Sequence, residues 1–170
     1  PVYDVVVLGA GAAGLMCAME AGRRGRRVLV LEPNDQPGKK ILISGGGRCN
    51  FTNLECSAAN FISENPAFCR SALARFTPQD FIALVRRHGI AFHEKHRGQL
   101  FCDDSSKRII ALLQAECAVG AVQHWQPCAV HALRRRDRGF ELDTARGSVA
   151  AAQLVVATGG AVKMKATAPG

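Results

Sequence analysis

Apolar and polar positions along the 170-residue chain change period several times, and each change marks an element. Tyr3 to Leu8 (YDVVVL) is a short, nearly continuous apolar run, the pattern of a strand buried on both faces in a parallel sheet. Helical spacing follows, with Leu15, Ala18, Met19 and Gly22 on one face and a stop at Gly25. Arg27 to Glu32 is a second buried strand, which completes a β–α–β unit in about thirty residues, the length of a crossover.

Pro33 to Asn60 loses its periodicity and reads as a long functional loop with one short helical turn. Pro66 to Phe76 reads as helical. Thr77, Pro78 and Asp80 then supply an N-cap, a proline at the first helical position and an acid at the third, ahead of an apolar face of Phe81, Leu84, Val85 and His88 ending at Gly89. Ile90 to Phe92 and Gln99 to Cys102 are short strands joined through a turn around Arg97 and Gly98. Asp104 or Ser105 caps another helix, with Ile109, Ile110, Leu113 and Cys117 inward. Val122 to Trp125 resumes a strand. Segments 129–135, 139–144 and 147–150 form an antiparallel β-meander, and Gln153 to Ala157 is a last buried strand running into Thr158-Gly159-Gly160. The expected class is α/β: a Rossmann-like domain with a central parallel sheet, a β–α–β crossover and an antiparallel β-meander. Residues 1–160 form that domain, and 161–170 are an irregular tail or the start of a second one.

Composition narrows the class. A hydrophobic fraction of 48% and a charged fraction of 21% are those of a globular protein. No apolar run approaches the roughly 20 residues that span a bilayer, and no basic leader precedes Val5, so no membrane partner and no signal peptide are expected. Seven cysteines without a CxxC pair argue against a disulfide framework or a zinc site and for a reducing cytoplasm. The net charge of +8 raises nucleic acid as a partner. The arginines cluster at helix ends and in a hairpin, around 23–27, 86–87 and 134–138, without interleaved aromatics. That favours a solvated surface over an RNA-binding one.

Gly9-Ala10-Gly11-Ala12-Ala13-Gly14 is GxGxxG, following a strand, opening a helix, and answered by an acid, Glu32, at the end of the next strand. Gly9 permits the turn, Gly11 lets backbone approach a pyrophosphate, and Gly14 lets helix and strand pack closely. The helix N-terminus offers N–H groups and a partial positive charge to the phosphates. Glu32 accepts from a ribose diol and repels a 2′-phosphate, which disfavours NADP at this site. FAD and NAD share this half, and both stay open on the motif alone.

VVVLGAGAAGLMCA, KKILISGGGRCNFTN, GQLFCDDSS and LVVATGG together resemble a group of bacterial NAD(P)/FAD-dependent oxidoreductases, aminoacetone-oxidase-type and bile-acid-reductase-like, over nearly all of residues 2–160. The resemblance implies FAD as cofactor, with a small-molecule substrate and NAD(P)H as partners. It places the pyrophosphate on Gly9 to Gly14 and the adenosine ribose at Glu32, beside Leu31 and Pro33. It sets Lys39, Lys40 and the loop of Ser44, Gly45, Gly46, Gly47, Arg48, Cys49 and Asn50 along the ribityl chain and flavin. Ala129 and Val130 would meet adenine, and Ala157, Thr158, Gly159 and Gly160 would close over the phosphates. Within that loop, bare glycine backbone brings N–H groups to the cofactor and Arg48 balances its negative charge. Cys49 is expected to be a packed thiol, since a redox pair needs a partner and only Cys56 is close in sequence. His88, His93 and His96 lack a metal-ligand pattern and read as surface or capping groups, and Asp103 to Ser106 as a helix cap. No residue takes a catalytic role, because the flavin carries the chemistry.

Members of that group are longer, with a second domain after the ATGG strand, and Lys165 stands where their following loop has a glycine. The chain is therefore expected to be the cofactor-binding portion of an FAD-dependent oxidoreductase, weak in turnover by itself. The alternatives are a tRNA-modifying flavoprotein and a truncated, non-catalytic dinucleotide-binding module.

Overall fold

The computed structural model describes residues 2–160, so the tail assigned to 161–170, Lys165 included, lies outside the described residues. In chain order the elements are β1 (Val2–Leu8), α1 (Ala12–Arg23), β2 (Val28–Leu31), α2 (Lys39–Ile43), a 3₁₀ turn at Ser44–Gly47, β3 (Asn50–Asn53), a 3₁₀ turn at Ala58–Asn60, α3 (Arg70–Arg75), α4 (Pro78–Arg87), β4 (Phe92–Glu94), β5 (Gln99–Cys102), α5 (Lys107–Val119), β6 (Gln123–Trp125), β7 (Val130–Arg136), β8 (Gly139–Thr144) and β9 (Gly147–Val156). They fall into two compact units, one made of the chain up to Lys39 and from Leu113 onward, the other of Lys40–Leu112.

The first unit is a six-stranded sheet in the order β6-β2-β1-β9-β8-β7. β6, β2, β1 and β9 are parallel neighbours, while β7, β8 and β9 are antiparallel. The four residues of β2 are all buried, as are Val6, Val7 and Leu8 of β1, which is why their sequences are uninterrupted apolar runs. α1 turns Leu15, Ala18, Met19 and Gly22 inward. Gly22 is needed because a Cβ there would stand 2.7 Å from the Gly120 carbonyl oxygen. This sheet is the expected Rossmann-like arrangement, with one difference. The third meander strand and the last parallel strand are one element, the ten-residue β9, which pairs with β8 along its first half and with β1 along its second.

The second unit holds a three-stranded antiparallel sheet, β3-β5-β4. α4 packs on it through Phe81, whose ring meets Phe51 edge-on at 5.9 Å between centroids, and Phe51 in turn meets Phe92 at 5.4 Å. The stretch from 33 to 60, expected to be a loop with one short helical turn, contains α2, β3 and both 3₁₀ turns. The helix expected from Pro66 is shorter, Arg70–Arg75, and buries none of its residues. A six-residue segment without a buried face has little beyond propensity to hold it.

Candidate functional site

In the first unit the predicted residues converge at the C-terminal ends of β1, β2 and β9. Gly9 N–H donates to the Leu31 carbonyl at 2.8 Å, and Ala157 N–H to the Leu8 carbonyl at 2.9 Å. Gly9 has φ +100°, and a Cβ on it would stand 2.6 Å from the Ala157 carbonyl oxygen and 3.2 Å from Thr158 Cα. The first glycine loop thus lies on the backbone of the ATGG segment, and only glycine fits there. A Cβ on Gly14 would overlap the Gly9 carbonyl. Around a Cβ on Gly11 there is open space to 4 Å. Gly11 is also the N-cap of α1 and has no side chain to offer its first turn, which carries no acid. An exposed, uncapped helix N-terminus beside a bare backbone is a fit for a pyrophosphate.

Glu32 is buried, at 7% exposure. Its Oε2 accepts from Ala10 N–H at 2.8 Å, and its Oε1 accepts from the backbone and side-chain N–H groups of Asn34 at 3.0 and 2.5 Å. A carboxylate has about four acceptor positions. Three are filled here, so Glu32 both ties the glycine loop to the end of β2 and keeps capacity for one ribose hydroxyl. Asn34, which sequence reasoning did not select, also accepts from Lys39 Nζ at 2.6 Å. The signal available was an amide two residues beyond the acid. Cys128 N–H donates to the Glu32 carbonyl at 2.7 Å, which brings Ala129 and Val130 beside the acid. Leu31 is buried, Pro33 exposed, and Thr158, Gly159 and Gly160 are exposed beyond β9. A cavity of ≈ 310 Å³ lined by Tyr3, Arg27, Val28, Ala121 and Gln123 opens at the other end of β1 and β2 and includes none of these residues.

In the second unit, Lys40 is exposed on α2 and the glycine loop follows. Gly45, Gly46 and Gly47 have φ of +56°, +66° and +86°, left-handed values that L side chains resist. Cys49 N–H donates to the Ser44 carbonyl at 3.0 Å, and Ser106 N–H to the Gly47 carbonyl at 2.7 Å. Ser106 Oγ donates to the Leu42 carbonyl at 3.0 Å. Arg48 and Asn50 are exposed. Gly45 is pressed on Phe101, since a Cβ there would stand 2.7 Å from its Cε1.

Cys49 is buried, and burial pushes its thiol above the ordinary range against a lowering hydrogen bond with Ser44. Cys102, also buried, is pushed up to about 11, first by burial and then by neighbouring Cys49, Asp104 and Asp103. A second thiol therefore does lie near Cys49: that of Cys102, whose N–H donates to the Arg48 carbonyl at 2.9 Å. Both are held as thiols, the state of packed rather than reactive cysteines. Asp103, expected as a cap, instead takes His93: Nδ1 lies 2.6 Å from Oδ1. Among the described residues no helix is long and apolar enough to cross a membrane.

Fold and loops define a Rossmann-like dinucleotide-binding domain of the FAD-binding kind. The chain belongs to the HI0933-like protein Rossmann domain family, whose model matches residues 3–168. It is 51% identical over 158 residues to the ribosomal RNA dihydrouridine synthase of Escherichia coli, covering 93% of this chain and 40% of that protein. It is 29% identical over 157 residues to the 3-dehydro-bile acid delta(4,6)-reductase of Clostridium scindens, covering 91% of this chain and 38% of that one. The chain thus spans about two fifths of the length of these relatives. In structure it resembles glycine oxidase from Geobacillus kaustophilus, with a TM-score of 0.67 over 92% of this chain and 55% of that one at 18% identity, a likeness of fold.

Proposed function

We propose that this chain is the FAD-binding part of a flavoenzyme that reduces uridine to dihydrouridine in ribosomal RNA. The observation that carries the reading is the 51% identity over 93% of the chain with a protein of that name, against 29% with the bile-acid reductase. The net charge of +8 suits an anionic polymer. The exposed aromatics Phe61, Phe68 and Phe76 flank Arg70 and Arg75, which is the interleaving that the arginine clusters alone lack. This departs from the sequence-based expectation of a small-molecule substrate and makes RNA the partner.

When bound, FAD supplies the two-electron reduction, reloaded by NAD(P)H. The residues of this chain bind and orient it. Gly11 and the first turn of α1 receive the pyrophosphate, with Gly9, Ala10, Ala12, Ala13 and Gly14 shaping the turn. Glu32, fixed by Ala10 and Asn34, receives the adenosine ribose between Leu31 and Pro33, with Ala129 and Val130 at the adenine. Ala157 to Gly160 border the phosphates. Lys39, Lys40, Ser44 to Gly47, Arg48, Cys49 and Asn50 are assigned to the ribityl chain and flavin, where main-chain N–H groups and the Arg48 cation would balance charge on the reduced ring.

The test is nucleoside mass spectrometry of ribosomal RNA from cells with and without the gene, followed by restoration with the purified full-length protein, FAD and NAD(P)H. Dihydrouridine lost with the gene and regained with the protein is the expected result. Unchanged dihydrouridine, with reduction of a sterol-like enone by the same protein, would replace this reading with that of a small-molecule reductase.

A further inference from the structure

Phe101 is the centre of the second unit's sheet, paired with Asn50 of β3 on one side and His93 of β4 on the other. Cross-strand partners project to one face, so these three side chains form a row. The His93 imidazole stacks on the Phe101 ring with centroids 6.3 Å apart and planes 20° apart. A Cβ on Gly45 would stand 2.7 Å from the same ring, and Lys95 Nζ stands 5.6 Å from its centroid. The imidazole is held at Nδ1 by Asp103, whose own N–H donates to the Ala91 carbonyl at 3.0 Å. The His93 and Asp103 side chains are 44% and 47% exposed. Among the described residues Nε2 makes no hydrogen bond. One ring nitrogen fixed by a carboxylate, the ring packed on a buried aromatic and the other nitrogen open to reagent is how acid–base histidines are set. A surface His–Asp pair contributes little to stability. Its distinction here is position: a single phenylalanine ring separates it from the glycine loop assigned to the flavin.

We infer that His93 is a catalytic acid, delivering a proton to a pyrimidine ring as that ring is reduced, with Asp103 as its positioning residue. The inference rests on the ribosomal RNA reading. Saturating the C5–C6 bond of uracil takes a hydride equivalent at C6, from the reduced cofactor, and a proton at C5. The Nε2–H bond of the imidazolium breaks as the C5–H bond forms. The neutral imidazole then takes a proton from water, and NAD(P)H, oxidised to NAD(P)⁺, restores the reductant. Exposure of the dyad gives both the base and water access, and Lys95 on the same ring suits a phosphate backbone.

The experiment uses the full-length protein as wild type, His93→Gln and Asp103→Asn, with unmodified ribosomal RNA and NAD(P)H in D₂O. It measures FAD content, RNA affinity, the dihydrouridine formed and the face of C5 that carries deuterium. For His93→Gln the expected result is a rate loss of at least about 100-fold, the scale of general acid catalysis. Its FAD content and RNA affinity stay within about threefold, and its residual product carries deuterium on both faces of C5. Asp103→Asn is expected to lose less and to keep the facial preference. A near-wild-type rate for His93→Gln overturns the inference, as does a fall in FAD or RNA binding matching the fall in rate. Should the glutamine variant not fold, an Asp103→Asn protein at the wild-type rate overturns the dyad. A wild type that holds FAD and binds RNA but forms no dihydrouridine sinks the RNA reading, and the inference with it.

Discussion

Gly11 and Gly14 belong to one motif and have opposite jobs, which substitution by alanine separates. Gly14→Ala pushes a methyl into the Gly9 carbonyl, and neither backbone can retreat without moving β1. A loss of about 1–3 kcal/mol of stability is expected, with FAD binding falling in consequence. Gly11→Ala meets open space, so thermal melts should stay near wild type while FAD titration shows weaker binding, because the new methyl occupies the approach to the α1 N-terminus. Equal melting losses in both would contradict this division. Glu32→Ala strips the acceptor from the buried Ala10 N–H and is expected to cost about 1–3 kcal/mol even in protein free of cofactor. The buried thiols give a pH-dependent expectation. Cys102 and Cys117 both sit at about 11, above 9.0 for an ordinary thiol, because burial disfavours their thiolates in the folded state. The stability they contribute is whole below pH 9 and is lost as pH rises toward 11. Iodoacetamide at pH 8 should label half-exposed Cys17, Cys56 and Cys69 first, and native Cys102 or Cys117 only on unfolding.

Elements held by local chemistry were legible, and those held by distant partners were not. Thr77-Pro78-Gln79-Asp80 forms the capping box its spelling announces: Thr77 Oγ1 accepts from Asp80 N–H at 3.3 Å, and Asp80 Oδ2 accepts from Thr77 N–H at 2.7 Å. Thr77→Ala is expected to lower stability by about 1 kcal/mol in denaturant titration, since it removes one acceptor at the start of α4. The β1–α1–β2 crossover and Glu32 could also be read, because apolar period and glycine spacing encode them, whereas the convergence of GxGxxG with the ATGG segment followed only from the family resemblance. By contrast, β3 needs β5, nearly fifty residues on, to become a strand, and residues 50–53 are too polar to announce it. Ala151 and Ala152 look like a break between strands but lie within β9, continuous because β1 and β8 pair along it from opposite sides. The His93–Asp103 contact depends on the β4–β5 register, which no spacing rule supplies.

At the scale of the molecule, charge and exposed apolar surface can be tested against each other. The hairpin cations are largely answered in place, Arg134 by Asp143 and Arg136 by Glu141, each at 2.6 Å, and those ending α1 by Glu20 and Glu116. The segment around α3 differs: Ile62 is 100% and Phe68 84% exposed, beside Arg70 and Arg75. A base stacked on an aromatic is worth about 1–3 kcal/mol, and each phosphate neutralised steepens the salt dependence of single-strand binding by about 0.7 in log–log slope. If this segment receives RNA, Phe68→Ala in the full-length protein should weaken RNA binding by about 5- to 100-fold at every salt concentration, leaving the slope unchanged. Arg70→Ala with Arg75→Ala should flatten the slope by about 1.4 units. The two variants then separate stacking from counterion release. If the phenylalanines instead pack against other protein, Phe68→Ala will lower the melting temperature or change the oligomeric state while RNA affinity and its salt slope stay where they were. That outcome would move the RNA-binding surface away from α3 and leave the net charge of +8 to be accounted for elsewhere on the chain.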